Sequence, residues 1–159
     1  MEAELRKHRC CFTGHRPEKL NASENLITSA LEKEIILAID SGFTTFISGM
    51  ARGVDIWAAE TILRLRDSGL DIKLICASPF PGFEKNWSED WKQRYLEIIH
   101  RADLVRFISN HYSRDCFQKR NIWMVNHSAL VIAAYNGSLG GTKNTIDYAQ
   151  SIGVTVKRI

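Results

Sequence analysis

The stretch that most constrains this chain is Thr45-Phe46-Ile47-Ser48-Gly49-Met50-Ala51-Arg52-Gly53-Val54-Asp55. An apolar run, Phe43 to Ile47, enters a turn holding two glycines, and a helical pattern runs on from Val54 to Leu65. A strand, a glycine turn and a helix start in direct succession place free backbone N–H groups at the carboxyl edge of a sheet, where an anion is favoured. The spacing is not G-x-G-x-x-G, so it names no ligand by itself.

The flanking sequence repeats the strand–helix alternation. Met1 to Lys7 is a polar lead-in, and His8 to Thr13 reads as a first strand stopped by Gly14. In Ser23 to Ile39, Ile27, Leu31, Ile35 and Ile39 recur every fourth residue, which is one face of a helix, with Ser23 as N-cap and Ser41-Gly42 as the stop. Further strands are expected at 71–77, 104–108, 130–135 and 154–159, and helices at 88–102, 115–127 and 142–151. Ser78 to Gly82, with two prolines, is a loop. This order predicts one domain spanning 1–159, an α/β, Rossmann-like, doubly wound and mainly parallel sheet with helices on both faces. The loops after the first, second and fifth strands should meet at one edge.

Composition narrows the function classes. A formal charge of +3 suits an anionic ligand but lacks the dense basic stripe of a nucleic-acid binder, so nucleic acid is not the expected partner. Cys10, Cys11, Cys76 and Cys116 have no metal-ligand spacing, and no metal site is expected. Three of them lie in apolar runs and read as buried free thiols; adjacent Cys10 and Cys11 should point to opposite faces of a strand. No signal peptide and no run of membrane-spanning length is visible, so the expectation is a cytoplasmic protein without a membrane partner.

Four motifs carry chemistry. In Thr13-Gly14-His15-Arg16-Pro17, Gly14 permits close backbone approach, Arg16 offers a planar fork to phosphate or carboxylate, and His15 can donate or stack. In Ser48 to Asp55, Ser48 can bond an anion, Gly49 and Gly53 clear space and Arg52 adds charge. Asp55 can complement the helix dipole, accept from ribose hydroxyls or serve structure alone. In Asn136-Gly137-Ser138-Leu139-Gly140-Gly141-Thr142, Gly137, Gly140 and Gly141 lead to Thr142, an expected N-cap, and again aim amides at an anion. In Tyr112 to Asn121, helical spacing puts Arg120 and Met124 on one face, so Met124 can pack while Arg120 reaches the crevice. Trp87 and Trp91, four apart on one helical face, read as core ahead of the alternative, a base-stacking platform.

These motifs, with Pro79-Phe80...Glu84-Lys85-Asn86-Trp87 and Cys116 to Asn121, resemble the YpsA-like branch of the SLOG superfamily, the Rossmann-like group that includes DprA and the LOG proteins. The resemblance implies glycine loops that bind nucleotides or nucleotide-derived ligands, ADP-ribose and NAD-like molecules among them, and a link to stress or cell division. It implies a sensor or regulator more than an enzyme, and is compatible with a homo-oligomer. LOG proteins cleave the N-glycosidic bond of cytokinin nucleotides with an Arg and a Glu. Arg120 resembles the Arg, but Thr145 stands where the Glu belongs, and a threonine supplies no carboxylate. The alternative is therefore a nucleoside monophosphate N-glycosidase pairing Arg120 with Asp55 or Glu60. A less expected one is a DprA-like single-stranded DNA binder.

Overall fold

The computed structural model describes residues 2–20 and 22–159; Met1, the first residue of the expected lead-in, lies outside them. The rest of that lead-in is not merely polar chain, because Glu2–Arg6 forms a short helix, α1. Then come β1 (Arg9–Gly14), α2 (Glu24–Asp40), β2 (Thr45–Ser48), α3 (Val54–Asp67), β3 (Lys73–Ser78) and α4 (Glu89–Arg101). β4 (Leu104–Phe107), α5 (Cys116–Asn126), β5 (Leu130–Ala134), α6 (Gly141–Ser151) and β6 (Thr155–Arg158) complete the described order, with a 3-10 turn at Pro17–Lys19.

The six strands form one sheet in the order β4-β3-β2-β1-β5-β6, and every pairing is parallel. The chain steps outward from β1 to β4, then returns to lay β5 against the other side of β1. Strand order therefore reverses between β2 and β5, with β1 at the centre, and a crevice opens there at the carboxyl ends.

Alternation along each strand feeds two cores. Cys10 and Phe12 of β1 face the layer built by α2, α3 and α4, while Cys11 faces the layer of α5 and α6. All four cysteines are buried and free, and burial pushes the Cys11 thiol up to about 12. The four-residue period of α2 delivers Ile27, Leu31 and Ile35 to the sheet, and Leu31 and Ile35 are fully buried, worth ~1.5–3 kcal/mol each. Ser23 caps that helix, its Oγ accepting from Leu26 N at 3.3 Å, and Ser41 closes it.

Several boundaries move by one or two residues for local reasons. β2 begins at Thr45, because Gly42 and Phe43 donate their amides to Ile39 and Ala38 in closing α2. Trp87 precedes α4, its N–H in a turn to Glu84 O, so it shares no helix face with Trp91, which packs on Trp57 at 6.2 Å. Thr142 is not a cap: Gly140 holds that position and Thr142 lies in the first helical turn.

Candidate functional site

A cleft of about 360 Å³ lies over the carboxyl ends of the central strands. Its walls come from the loops after β1, β2, β3 and β5 and from one face of α5. Gly14, His15, Arg16, Arg52, Asp55, Arg120, Gly140, Gly141 and Thr142 line it; Ser48, Gly49, Gly53 and Gly137 do not.

The glycines of the first two loops serve packing. A Cβ on Gly14 would sit 2.4 Å from Val54 Cγ2, so the first turn of α3 rests directly on the end of β1. A Cβ on Gly53 would stand 2.9 Å from Pro17 Cδ, which locks the first motif onto the second. Gly53 also has φ 94°, which glycine adopts without cost. Gly49 is a spacer between two site residues: a Cβ there would lie 2.9 Å from Asp55 Oδ2 and 3.0 Å from Arg120 Cδ and Nε. Two amides of this turn are already engaged, Met50 N by Ser48 Oγ and Ala51 N by Asp55 Oδ2, so it is not the open anion cradle that the glycine spacing suggests. Gly137, at φ 93°, sits in a side-chain turn where Asn136 Oδ1 accepts from Ser138 N at 2.9 Å.

Ser48 is structural as well. Its hydroxyl donates to Asp55 O at 2.8 Å and accepts from Met50 N at 3.2 Å. That bond braces Met50, which among the described residues is the one non-glycine with positive φ, 64°. Such a conformation costs ~1–3 kcal/mol, offset here by a side chain wholly buried in the core. The left-handed position of the turn is Met50, and Gly49 does not share it.

Those two residues form the floor. Asp55 Oδ2 accepts from Ala51 N at 3.2 Å, and burial pushes its carboxyl up to about 6 against the opposing pull of Arg120. Arg120 arrives from α5 as the helical spacing with Met124 predicts; Met124 is buried in the core while Arg120 lies 6% exposed against the cleft. Its Nε donates to Asn121 Oδ1 at 2.9 Å and its Nη1 to Gly49 O. Burial lowers the Arg120 guanidinium from its usual range.

The opposite wall differs. α6 starts at Gly141 with no side-chain cap, and a Cβ on Gly140 or Gly141 would meet nothing within 4 Å. The first N–H groups of α6 therefore open onto the cleft beside the exposed Arg16 and Lys19. His15 stacks on Tyr135 with centroids 5.4 Å apart, and its Nε2 is enclosed without a hydrogen-bond partner. Burial and nearby Lys19 lower its pKa, so its neutral form is favoured.

The third wall is aromatic, and of its rings sequence reasoning weighed only Trp87, as the less favoured base-stacking alternative. Phe83, Trp87 and Phe117 line the cleft, with Phe83 on Trp87 at 5.0 Å and on Phe117 at 5.6 Å. The available signal was the density of rings in Phe80 to Trp87, which follows the carboxyl end of a strand. The carboxylates considered for hydrolysis separate clearly. Glu60 pairs with Arg94 at 2.6 Å, off the cleft, while Thr145 Oγ1 donates to Gly141 O at 2.8 Å. Among the described residues, Asp55 is the one carboxylate lining the cleft, and no cluster of three His, Cys, Asp or Glu could hold a metal ion. No described helix is long and apolar enough to cross a membrane.

A parallel doubly wound sheet with a cleft at its switch point defines a Rossmann-like protein. The YpsA family model, described as the YspA SLOG family, matches residues 10–153, and the chain belongs to that family. A UPF0398 protein of Bacillus cereus is 29% identical over 142 residues, covering 84% of this chain and 77% of its own. DNA processing protein A of Streptococcus pneumoniae superposes with TM-score 0.68 at 19% identity, over 97% of this chain and 50% of that one. The same protein of Helicobacter pylori, solved for its single-stranded DNA binding mode, gives TM-score 0.67 at 19% identity, over 99% and 66%. The chain thus spans half of the first solved structure, and at these identities both superpositions speak for the fold.

Proposed function

We propose that this protein binds a small phosphorylated ligand of the nucleotide class in the cleft, acting as a sensor and not as a hydrolase. The observation that carries the reading is the open start of α6, uncapped and glycine-lined on the wall of the cleft. Uncapped helical N–H groups and the positive end of a helix favour a phosphate. Arg16 and Lys19 add charge on the same side, and the aromatic wall opposite suits a base. Asp55 argues against a second phosphate at the start of α3, because its carboxylate already occupies that helix end.

Native mass spectrometry of the purified protein, followed by calorimetry against nucleoside mono- and diphosphates, NAD and ADP-ribose, tests this. A folded protein that binds none of them refutes it. Because Thr145 turns its hydroxyl back on its own helix, nucleoside monophosphates should yield no steady release of free base. Turnover by wild type that disappears in Arg120→Ala would instead establish the N-glycosidase.

A second reading has one supporting observation. Tyr112, 63% exposed, packs at 6.3 Å on Phe117, which is 38% exposed at the cleft, and exposed rings can stack on single-stranded bases. Steeply salt-dependent binding of a labelled oligodeoxynucleotide would favour it.

A further inference from the structure

The cleft floor has a polarity that a phosphate does not satisfy. Asp55 fixes one carboxylate oxygen on Ala51 N, while the other, Oδ1, accepts no hydrogen bond from any described residue. It is also not among the enclosed unpaired atoms, so it remains reachable from the cleft that Asp55 lines. Beside it, Arg120 uses Nε and Nη1 on Asn121 and Gly49, which leaves Nη2 uncommitted, and Asn121 accepts through Oδ1 with its Nδ2 uncommitted. The floor therefore presents a charged acceptor next to two donors. A phosphate would meet the carboxylate as a like charge, whereas a hydroxyl both donates and accepts.

We infer that this floor reads the sugar of the ligand, with Asp55 Oδ1 accepting from one ring hydroxyl and the free N–H groups of Arg120 and Asn121 donating to it or its neighbour. The cleft then selects ribonucleotides over their deoxy counterparts. The inference rests on the proposed cleft function and narrows its ligand class to those carrying an intact ribose. Gly49 is part of the device, since only a residue without Cβ lets Asp55 and Arg120 flank the same backbone atom. The glycosyl bond is not touched: Asp55 here is a hydroxyl acceptor and no bond is made or broken.

Calorimetry on the wild-type chain provides the test, using the four ribonucleoside 5′-monophosphates and their 2′-deoxy and 3′-deoxy forms. Loss of a hydroxyl bonded to a charged group should weaken binding by about 10- to 150-fold. Asp55→Asn keeps the shape and can keep the Ala51 bond, but presents an N–H donor where Oδ1 accepted. It should weaken the ribonucleotide about tenfold and leave the deoxynucleotide nearly unchanged, so the ratio collapses; circular dichroism confirms its fold. If wild type binds ribo and deoxy forms within about twofold, or discriminates only among bases, the sugar reading is overturned while the phosphate cleft stands. If no phosphorylated compound binds, the cleft function itself is refuted.

Discussion

Replacing Gly14 by alanine tests how closely α3 rests on β1. The added Cβ would lie 2.4, 2.6 and 2.9 Å from Cγ2, Cβ and Cγ1 of Val54. Favourable carbon–carbon contacts lie at ~3.5–4.0 Å, so the two backbones must part by about 1 Å. Neither side yields easily. Val54 is 1% exposed, and α3 is held by buried Ile56, Trp57, Ile62 and Leu63 along its length. β1 is paired on both edges. Gly14 is not in the left-handed region, so the cost is steric and not conformational. Overpacking of this kind costs ~1–3 kcal/mol, and three contacts this short place Gly14→Ala at the upper end. At ~2–4 °C per kcal/mol for a chain this long, Tm should fall by about 5–10 °C. Urea unfolding of Gly14→Ala, Val54→Gly and the double variant supplies the coupling energy. The alanine should cost much less once Val54 is removed. An unchanged Tm, or the same loss in both backgrounds, refutes the reasoning.

Gly49→Ala should behave differently, because its neighbours are the carboxyl tip of Asp55 and the Cδ and Nε of Arg120, the polar side chains of the cleft floor and not the packed core. Tm should change little while ligand affinity by calorimetry falls about tenfold or more; the reverse pattern would make Gly49 a folding residue. Asp55 also predicts a pH limb in stability. Its carboxyl titrates near 6 in the fold and at an ordinary 3.8 when unfolded, so between those values the native state holds the extra proton. Native stability therefore declines as pH rises through that window, by up to ~3 kcal/mol at 1.36 kcal/mol per pH unit, and is level above it. Arg120 and Cys11 interact electrostatically with this carboxyl, so the comparison is with Asp55→Asn, which should lack the limb in urea titrations from pH 4 to 7. Identical profiles would remove Asp55 as a titrating group.

The sequence by itself determined the class of fold and the edge where the cleft lies. Apolar four-residue spacing in α2 reports its one buried face, and an unbroken run such as Cys10 to Phe12 reports a strand buried on both faces, because side-chain direction follows backbone period. Alternation of these elements then leaves a parallel sheet as the consistent arrangement. Arg120 was legible for the same reason, since its face is set by Met124 one helical turn away.

Only the tertiary structure decided what each glycine is for. Gly14, Gly49 and Gly53 look alike as clearances for a ligand, yet they clear Val54, the Asp55–Arg120 pair and Pro17 respectively. Gly140 and Gly141 alone among the cleft glycines face open space. The aromatic wall and the Asp55 floor were hidden too. Arg120 meets Gly49 across 71 residues of chain, and Phe117 meets Phe83 from a different crossover. Local periodicity fixes the direction of a side chain relative to its own element. What it meets there depends on how parallel crossovers stack loops that are distant in sequence, and that is settled by packing.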